Sequence, residues 1–178
     1  MIHLVLGGAR SGKSRYAEQC VAEYAAIGYS CVYLATATAT ALDHEMSARI
    51  NQHQQDRMSS VHSWTLHEQA YDVGQTLVAI DKPQQVILLD CLTLLLTNHL
   101  LLNDGASWAT QKSLLIDSLS ALQSDVVLVS NEVGSGIVPM GELNRRFVDE
   151  AGWLNQEIAA ISDQVTLVVA GLPLALKA

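Results

Sequence analysis

The 178 residues suffice for one domain with one substantial core, and 49% of them are hydrophobic. No apolar run reaches the roughly 18–20 residues that span a bilayer; the longest, around Val86–Leu102, is interrupted by Asp90, Thr93, Thr97, Asn98 and His99. A net charge of −8 argues against a broad nucleic-acid footprint, which needs a basic face.

The first predicted strand, Ile2–Leu6, runs directly into Gly7-Gly8-Ala9-Arg10-Ser11-Gly12-Lys13-Ser14. This is G-x-x-x-x-G-K-S, the phosphate-binding loop. Gly7 and Gly12 let the backbone wrap a polyphosphate with its N–H groups turned inward. Lys13 supplies a point charge to the β- and γ-phosphates, and Ser14 offers a hydroxyl to Mg²⁺. A helix from Lys13 to about Ala26 follows, and its N-terminal dipole also favours anions. The pattern indicates a nucleoside triphosphate or a close relative. No basic region with a cleavable apolar segment precedes this strand. Cys20, Cys31 and Cys91 lack C-x-x-C spacing. They read as reduced thiols of a cytoplasmic protein rather than a disulfide or zinc framework.

Further strands are expected at Cys31–Ala35, more weakly at His62–Leu66, and at Gln85–Leu89, Val126–Ser130 and Val165–Ala170. They are short, rich in Val, Ile and Leu, and do not alternate, as in strands buried on both faces. Helical patterns lie between them at 13–27, 43–57, 67–80, 107–123 and 142–162. Such alternation predicts an α/β fold, with a mostly parallel sheet covered by helices on both faces, in one domain over residues 1–178. Ligands in such sheets sit at the carboxyl ends of the strands. That rule gathers Gly7–Ser14, Thr36, Asp90 and Asn131-Glu132.

Two of these features bear on chemistry. Asp90 closes an apolar strand where phosphate-loop proteins place a Mg²⁺-handling carboxylate; alone it fits equally well as the cap of a helix starting near Leu92. In the 43–57 pattern, Arg49, His53 and Arg57 fall at i, i+4 and i+8 and share one helix face. Two guanidinium groups beside one imidazole suit a phosphate-binding face and keep the imidazole neutral by like-charge repulsion, hence nucleophilic. The same spacing also fits a solvated face. Arg10 and Arg15 flank the phosphate loop, Arg145 and Arg146 with Asp149 fit a salt-bridged helix face, and Trp64, Trp108 and Trp153 fit packing roles.

The chain resembles the bifunctional adenosylcobinamide kinase / adenosylcobinamide-phosphate guanylyltransferase family of cobalamin biosynthesis. The matching pieces are Gly7 to Arg15 with Ala17-Glu18, Tyr33-Leu34-Ala35-Thr36, and Asp43 through Glu45-Met46 to Arg49-Ile50 and His53. Leu89-Asp90-Cys91-Leu92-Thr93 with Asn98 comes next, then Val129 to Gly134 with Gly136-Ile137-Val138-Pro139. Arg145, Phe147, Asp149, Gly152, Asn155, Gly171 and Lys177 complete the match. The run N-E-V-G-x-G-I-V-P after a strand is not a general phosphate-loop feature. The family's His-His, Arg-Pro and Trp pattern stands here as Gln52-His53, Arg57-Met58 and Trp64. His53 falls on the second histidine, which the family uses as nucleophile.

The resemblance implies a phosphate-loop NTPase-like, RecA-like fold and two reactions. ATP or GTP phosphorylates the aminopropanol hydroxyl of adenosylcobinamide. His53 then takes GMP from GTP as a guanylyl-histidine and passes it to adenosylcobinamide phosphate, giving adenosylcobinamide-GDP. It also implies His53, Lys13 and Glu132 as catalytic residues and Gly7–Ser14, Thr36, Arg49, Arg57 and Asp90 as nucleotide contacts. Ser14 and Asp90 would hold Mg²⁺, and the assembly would be a homotrimer. A monofunctional phosphate-loop kinase, with His53 structural, is the first alternative. A GTP-binding switch is the second, weakened because no N-K-x-D-type guanine-reading motif occurs.

Overall fold

The structure is a computed structural model, and residues 1–37, 63–137 and 140–178 are described. Strands β1 (Ile2–Gly7), β2 (Ser30–Ala35), β3 (Trp64–Glu68), β4 (Gln85–Asp90), β5 (Asp125–Asn131), β6 (Gln164–Val169) and β7 (Leu172–Lys177) form one seven-stranded sheet. Its order is β3-β2-β4-β5-β1-β6-β7. Strands β1 to β6 pair in parallel, and β7 pairs antiparallel with β6. Among the described residues the α-helices are α1 (Lys13–Ala26), α2 (Val73–Ile80), α3 (Leu92–Leu101), α4 (Trp108–Ala121) and α5 (Glu142–Ile161).

The central strands explain why the sheet needs cover on both sides. Leu4, Val5, Ile87, Leu88, Leu89, Val126, Val127 and Leu128 are no more than 1% exposed. Burying each such side chain contributes about 1.5–3 kcal/mol, so these strands fix where their ends emerge. On one face α1 sets Ala17 and Val21, one turn apart, against Val5, Val127 and Val129. On the other face α2 to α5 contribute Val73, Leu77, Leu92, Leu96, Leu115, Leu119, Leu154 and Ile158. The chain crosses from β1 over β5 and β4 to reach β2, so the carboxyl ends of β1, β5 and β4 surround the start of α1.

Three differences from the sequence reading have physical causes. The helix expected over 67–80 begins only at Val73, because residues 64–68 pair in register with β2. The Gln69 N–H extends that ladder by donating to the Ala35 carbonyl at 2.9 Å. Strand β7 was not expected. It forms because Ala170 (φ 53°) and Gly171 (φ 79°) take consecutive left-handed conformations, which a two-residue hairpin with the right twist requires. Helix α3 occupies the long apolar run after Asp90, which the strand–helix alternation left unassigned beyond its start. The helical pattern 43–57 lies outside the described residues.

Candidate active site

The phosphate loop joins β1 to α1, and its shape demands glycine at both ends. A Cβ on Gly7 would lie 2.7 Å from the Val168 carbonyl oxygen of β6. Gly12 is at φ 93°, and a Cβ there would meet Gly171 Cα at 3.2 Å. Arg10 also takes a left-handed conformation, at φ 57°. The loop is closed by Ser11 N–H donating to the Gly8 carbonyl at 3.2 Å. It is braced from outside by Gly171 N–H donating to the Ser11 carbonyl at 2.8 Å. The unexpected β6–β7 hairpin therefore supports the loop directly. Lys13 is only 7% exposed, and its Nζ donates to the Gly8 carbonyl at 3.1 Å. Its ammonium is held against the loop, where the phosphates of a nucleotide would replace that carbonyl as partner.

Asp90 ends β4, one strand away from β1 across β5. The Tyr33 hydroxyl on β2 donates to Asp90 Oδ2 at 2.7 Å. Next to it, Cys91 reaches the Thr93 hydroxyl at 3.2 Å, and Asn131 Nδ2 donates to that hydroxyl at 3.0 Å. Burial pushes the Cys91 thiol up, as does the neighbouring Asp90 charge; the nearby Lys13 charge only partly opposes this. Cys91 is thus a neutral thiol and no rival nucleophile. Helix α1 packs on β4, with Ala17 and Val21 in one cluster with Leu88. Ser14 and Asp90 are hard oxygen donors of the kind Mg²⁺ takes beside nucleotide phosphates. They fit that ion, although no cluster of three His, Cys, Asp or Glu side chains occurs among the described residues. A magnesium–nucleotide site does not need one.

Thr36, placed among the nucleotide contacts by sequence, is fully buried. Its hydroxyl donates to the Cys91 carbonyl and accepts from the Cys91 N–H, both at 2.9 Å. Its N–H donates to the Asp90 carbonyl at 3.1 Å. Its side chain fastens the end of β2 to the end of β4, so it shapes the site from beneath. Asn98 Nδ2 then ties the Thr36 carbonyl at 2.9 Å to α3.

Glu132 follows β5, and its N–H extends the pairing to the Gly7 carbonyl at 3.0 Å. Its Oε1 accepts from Gly134 N–H at 2.7 Å and from the Ser135 hydroxyl at 3.2 Å. The backbone of Glu132 thus lies beside the phosphate loop, while one carboxylate oxygen shapes its own turn. Arg10 and Arg15 are exposed at the loop and at the first turn of α1. Arg49, His53 and Arg57 lie outside the described residues. The flanking chain leaves the carboxyl end of β2 beside Asp90 and re-enters at β3.

Other expectations resolve locally. Arg145 and Arg146 do not form the salt-bridged face expected with Asp149; they donate to the Met140 and Asp104 carbonyls, the second at 2.7 Å. Trp108 is buried and donates to Glu150 at 2.8 Å, as a packing residue should, whereas Trp153 is 53% exposed. Trp64 stands edge-on to Tyr33 with ring centroids 5.7 Å apart. His3 and His99 are buried structural residues. His3 reaches the Thr166 hydroxyl at 2.9 Å, and burial lowers its pKa despite the opposing charge of Glu23. Sequence reasoning gathered Asn131 at a strand end and placed Tyr33 and Thr93 in the matching pieces, but assigned none of the three a role. A phenol inside the apolar run Cys31–Ala35 was the available signal, because a buried hydroxyl must find a partner.

Comparison with known proteins gives the family and the fold. The family model described as cobinamide kinase / cobinamide phosphate guanyltransferase matches residues 3–176. The bifunctional adenosylcobalamin biosynthesis protein CobP of Pseudomonas aeruginosa is 46% identical over 177 residues, covering 99% of this chain and 98% of its own. CobU of Escherichia coli, with the same description, is 40% identical over 190 residues, covering 99% of this chain and all of its own. Among solved structures, a KaiC-like protein of Pyrococcus horikoshii aligns with TM-score 0.50 at 16% identity over 93% of this chain and 69% of its own. A second solved structure, an ATPase domain, aligns with TM-score 0.51 at 10% identity over 93% of this chain and 68% of its own. These two likenesses concern the fold alone.

Proposed function

As the chain belongs to the cobinamide kinase / cobinamide phosphate guanyltransferase family, we propose that it performs both activities for which that family is named. It phosphorylates adenosylcobinamide with ATP or GTP and then transfers GMP from GTP to the product, in adenosylcobalamin biosynthesis. The observation that carries this reading is the intact phosphate loop, with Lys13 buried at the start of a helix packed on β4, in a chain that the family model matches over residues 3–176. A switch protein would share the loop but not that full-length match.

In the first reaction the backbone N–H groups of Gly8–Ser14 and Lys13 hold the β- and γ-phosphates. The acceptor's aminopropanol hydroxyl attacks the γ-phosphorus, the bond to the β-bridging oxygen breaks, and the hydroxyl proton leaves. Phosphoryl transfer needs mainly positioning and charge neutralisation, which this loop supplies. Glu132, beside Gly7, orients the acceptor hydroxyl and receives its proton. Ser14 and Asp90 would hold Mg²⁺, which when bound neutralises charge on the phosphate oxygens.

In the second reaction His53 attacks the α-phosphorus of GTP and releases pyrophosphate. The phosphate oxygen of adenosylcobinamide phosphate then displaces the histidine nitrogen. Arg49 and Arg57 stabilise the developing charge. Thr36 belongs to this site as the tie beneath it.

The assembly is a homotrimer in the cytoplasm. The exposed apolar groups Ile137 and Met140, and Leu172, Leu174 and Leu176 on edge strand β7, support association between copies, and the family resemblance supports three of them. Analytical ultracentrifugation gives the mass, and a monomer would refute the trimer. The function is tested by incubating the protein with adenosylcobinamide, Mg²⁺ and GTP and following the corrinoids by mass spectrometry. Adenosylcobinamide phosphate should rise and then convert to adenosylcobinamide-GDP. Accumulation of the phosphate alone would leave only the kinase.

A further inference from the structure

Resting on the reading of Asp90 as a metal-holding carboxylate, we infer that Tyr33 sets the metal preference of the nucleotide site. Tyr33 is 4% exposed and sits on β2, its hydroxyl donating to Asp90 Oδ2 at 2.7 Å. In register it pairs with Leu88, so the phenol reaches two residues along β4 to meet the carboxylate. Trp64 on β3 packs edge-on against the ring, and Thr36 ties the adjoining strand ends together, so both partners are fixed.

One carboxylate oxygen is thereby occupied. Oδ1 is the oxygen that Tyr33 does not engage. A metal that took both oxygens of Asp90 would have to compete with Tyr33 for Oδ2, so the hydrogen bond favours attachment through Oδ1 alone, directly or through water. That suits Mg²⁺, which demands near-octahedral geometry and takes single carboxylate oxygens. It disfavours Ca²⁺, which accepts bidentate carboxylates in larger, looser shells. Tyr33 is a positioning residue that keeps Asp90 monodentate and so discriminates against the larger ion.

The test measures metal binding without turnover. Mn²⁺ is bound to the protein with a non-hydrolysable GTP analogue, and its electron paramagnetic resonance signal is displaced by Mg²⁺ or by Ca²⁺. Tyr33→Phe keeps the ring and its contact with Trp64, and a thermal melt checks folding. The expected result is a fall of roughly 5- to 10-fold in the Mg²⁺-to-Ca²⁺ affinity ratio, with metal-free nucleotide affinity unchanged. Asp90→Asn should weaken Mn²⁺ binding, and in that background Tyr33→Phe should leave the ratio unchanged. An unaltered ratio in Tyr33→Phe overturns the role of Tyr33 alone. An equal change in both backgrounds overturns it too. Unweakened Mn²⁺ binding in Asp90→Asn overturns the metal reading of Asp90 itself.

Discussion

The two ends of the parallel sheet hold their carboxylates differently. At the amino ends, Asp81 accepts from the N–H groups of Gln123 and Ser124 and from the Ser124 hydroxyl at 2.7–3.1 Å, and Asp163 accepts from Ile2 N–H at 2.6 Å. Asp81 has both oxygens used within the fold. At the carboxyl ends, Asp90 takes one hydroxyl on one oxygen, and Glu132 uses one oxygen to shape a turn. The lesson concerns saturation. A carboxylate whose lone pairs are filled by backbone donors stabilises the chain, whereas one left half engaged at the mouth of a phosphate loop is available to a ligand.

The contrast can be broken in either direction. The largest effect is expected from Lys13→Ala, which removes the buried charge at the loop. Phosphoryl transfer to adenosylcobinamide should fall at least about 100-fold in kcat, with only a small shift in the urea midpoint; a stability loss matching the activity loss would refute the contrast. Gly7→Ala comes next, because its Cβ would press on the Val168 carbonyl. Overpacking of this kind costs about 1–3 kcal/mol, and nucleotide affinity measured by calorimetry should drop with it, since the loop and β6 must separate. Unchanged affinity would mean that the loop does not depend on that contact.

The smallest kinetic effect is expected at the other end. Burial resists ionisation of Asp81, but hydrogen bonds from the Ser124 hydroxyl and from the Gln123, Ser124 and Lys82 N–H groups outweigh it and hold its pKa below the usual 3.8. A group with a depressed folded-state pKa stabilises the protein above its unfolded pKa and loses that contribution as pH falls through the folded value. Asp81→Asn should therefore cost about 1–3 kcal/mol in urea unfolding at pH 7 while kcat stays unchanged. The gap to the parent protein should close as pH falls below 3.8. A gap that widened in acid would reverse the assigned sign.

Much of this was legible in sequence because it rests on local patterns. The apolar runs ending at Gly7, Asp90 and Asn131 gave β1, β4 and β5 to within a residue or two, and the loop spacing located Lys13 and Ser14. The family resemblance stated from the motifs agrees with the full-length match. What escaped depends on contacts between distant strands. Strand β7 carries Pro173 and follows Ala170-Gly171 rather than an Asn-Gly turn, so its pairing was not visible. Thr36 was gathered as a nucleotide contact from its place at a strand end, and its hydrogen bonds to Cys91, set by the β2–β4 pairing, were not visible in sequence. Tyr33 stood in a matching piece without a role, and its partner Asp90 lies across the β2–β4 pairing. Periodicity reports which face is apolar and not which polar atom answers another across a sheet.

The central claim is that one phosphate-loop chain performs two transfers, with His53 carrying GMP between them. GTP labelled on either the α- or the γ-phosphate, incubated with the protein and Mg²⁺ and then denatured, tests it most directly. The account predicts acid-labile, base-stable label from the α-phosphate on the protein, absent in His53→Ala, while that variant still passes the γ-phosphoryl to adenosylcobinamide. Absence of α-label on the parent protein while γ-transfer proceeds would contradict it.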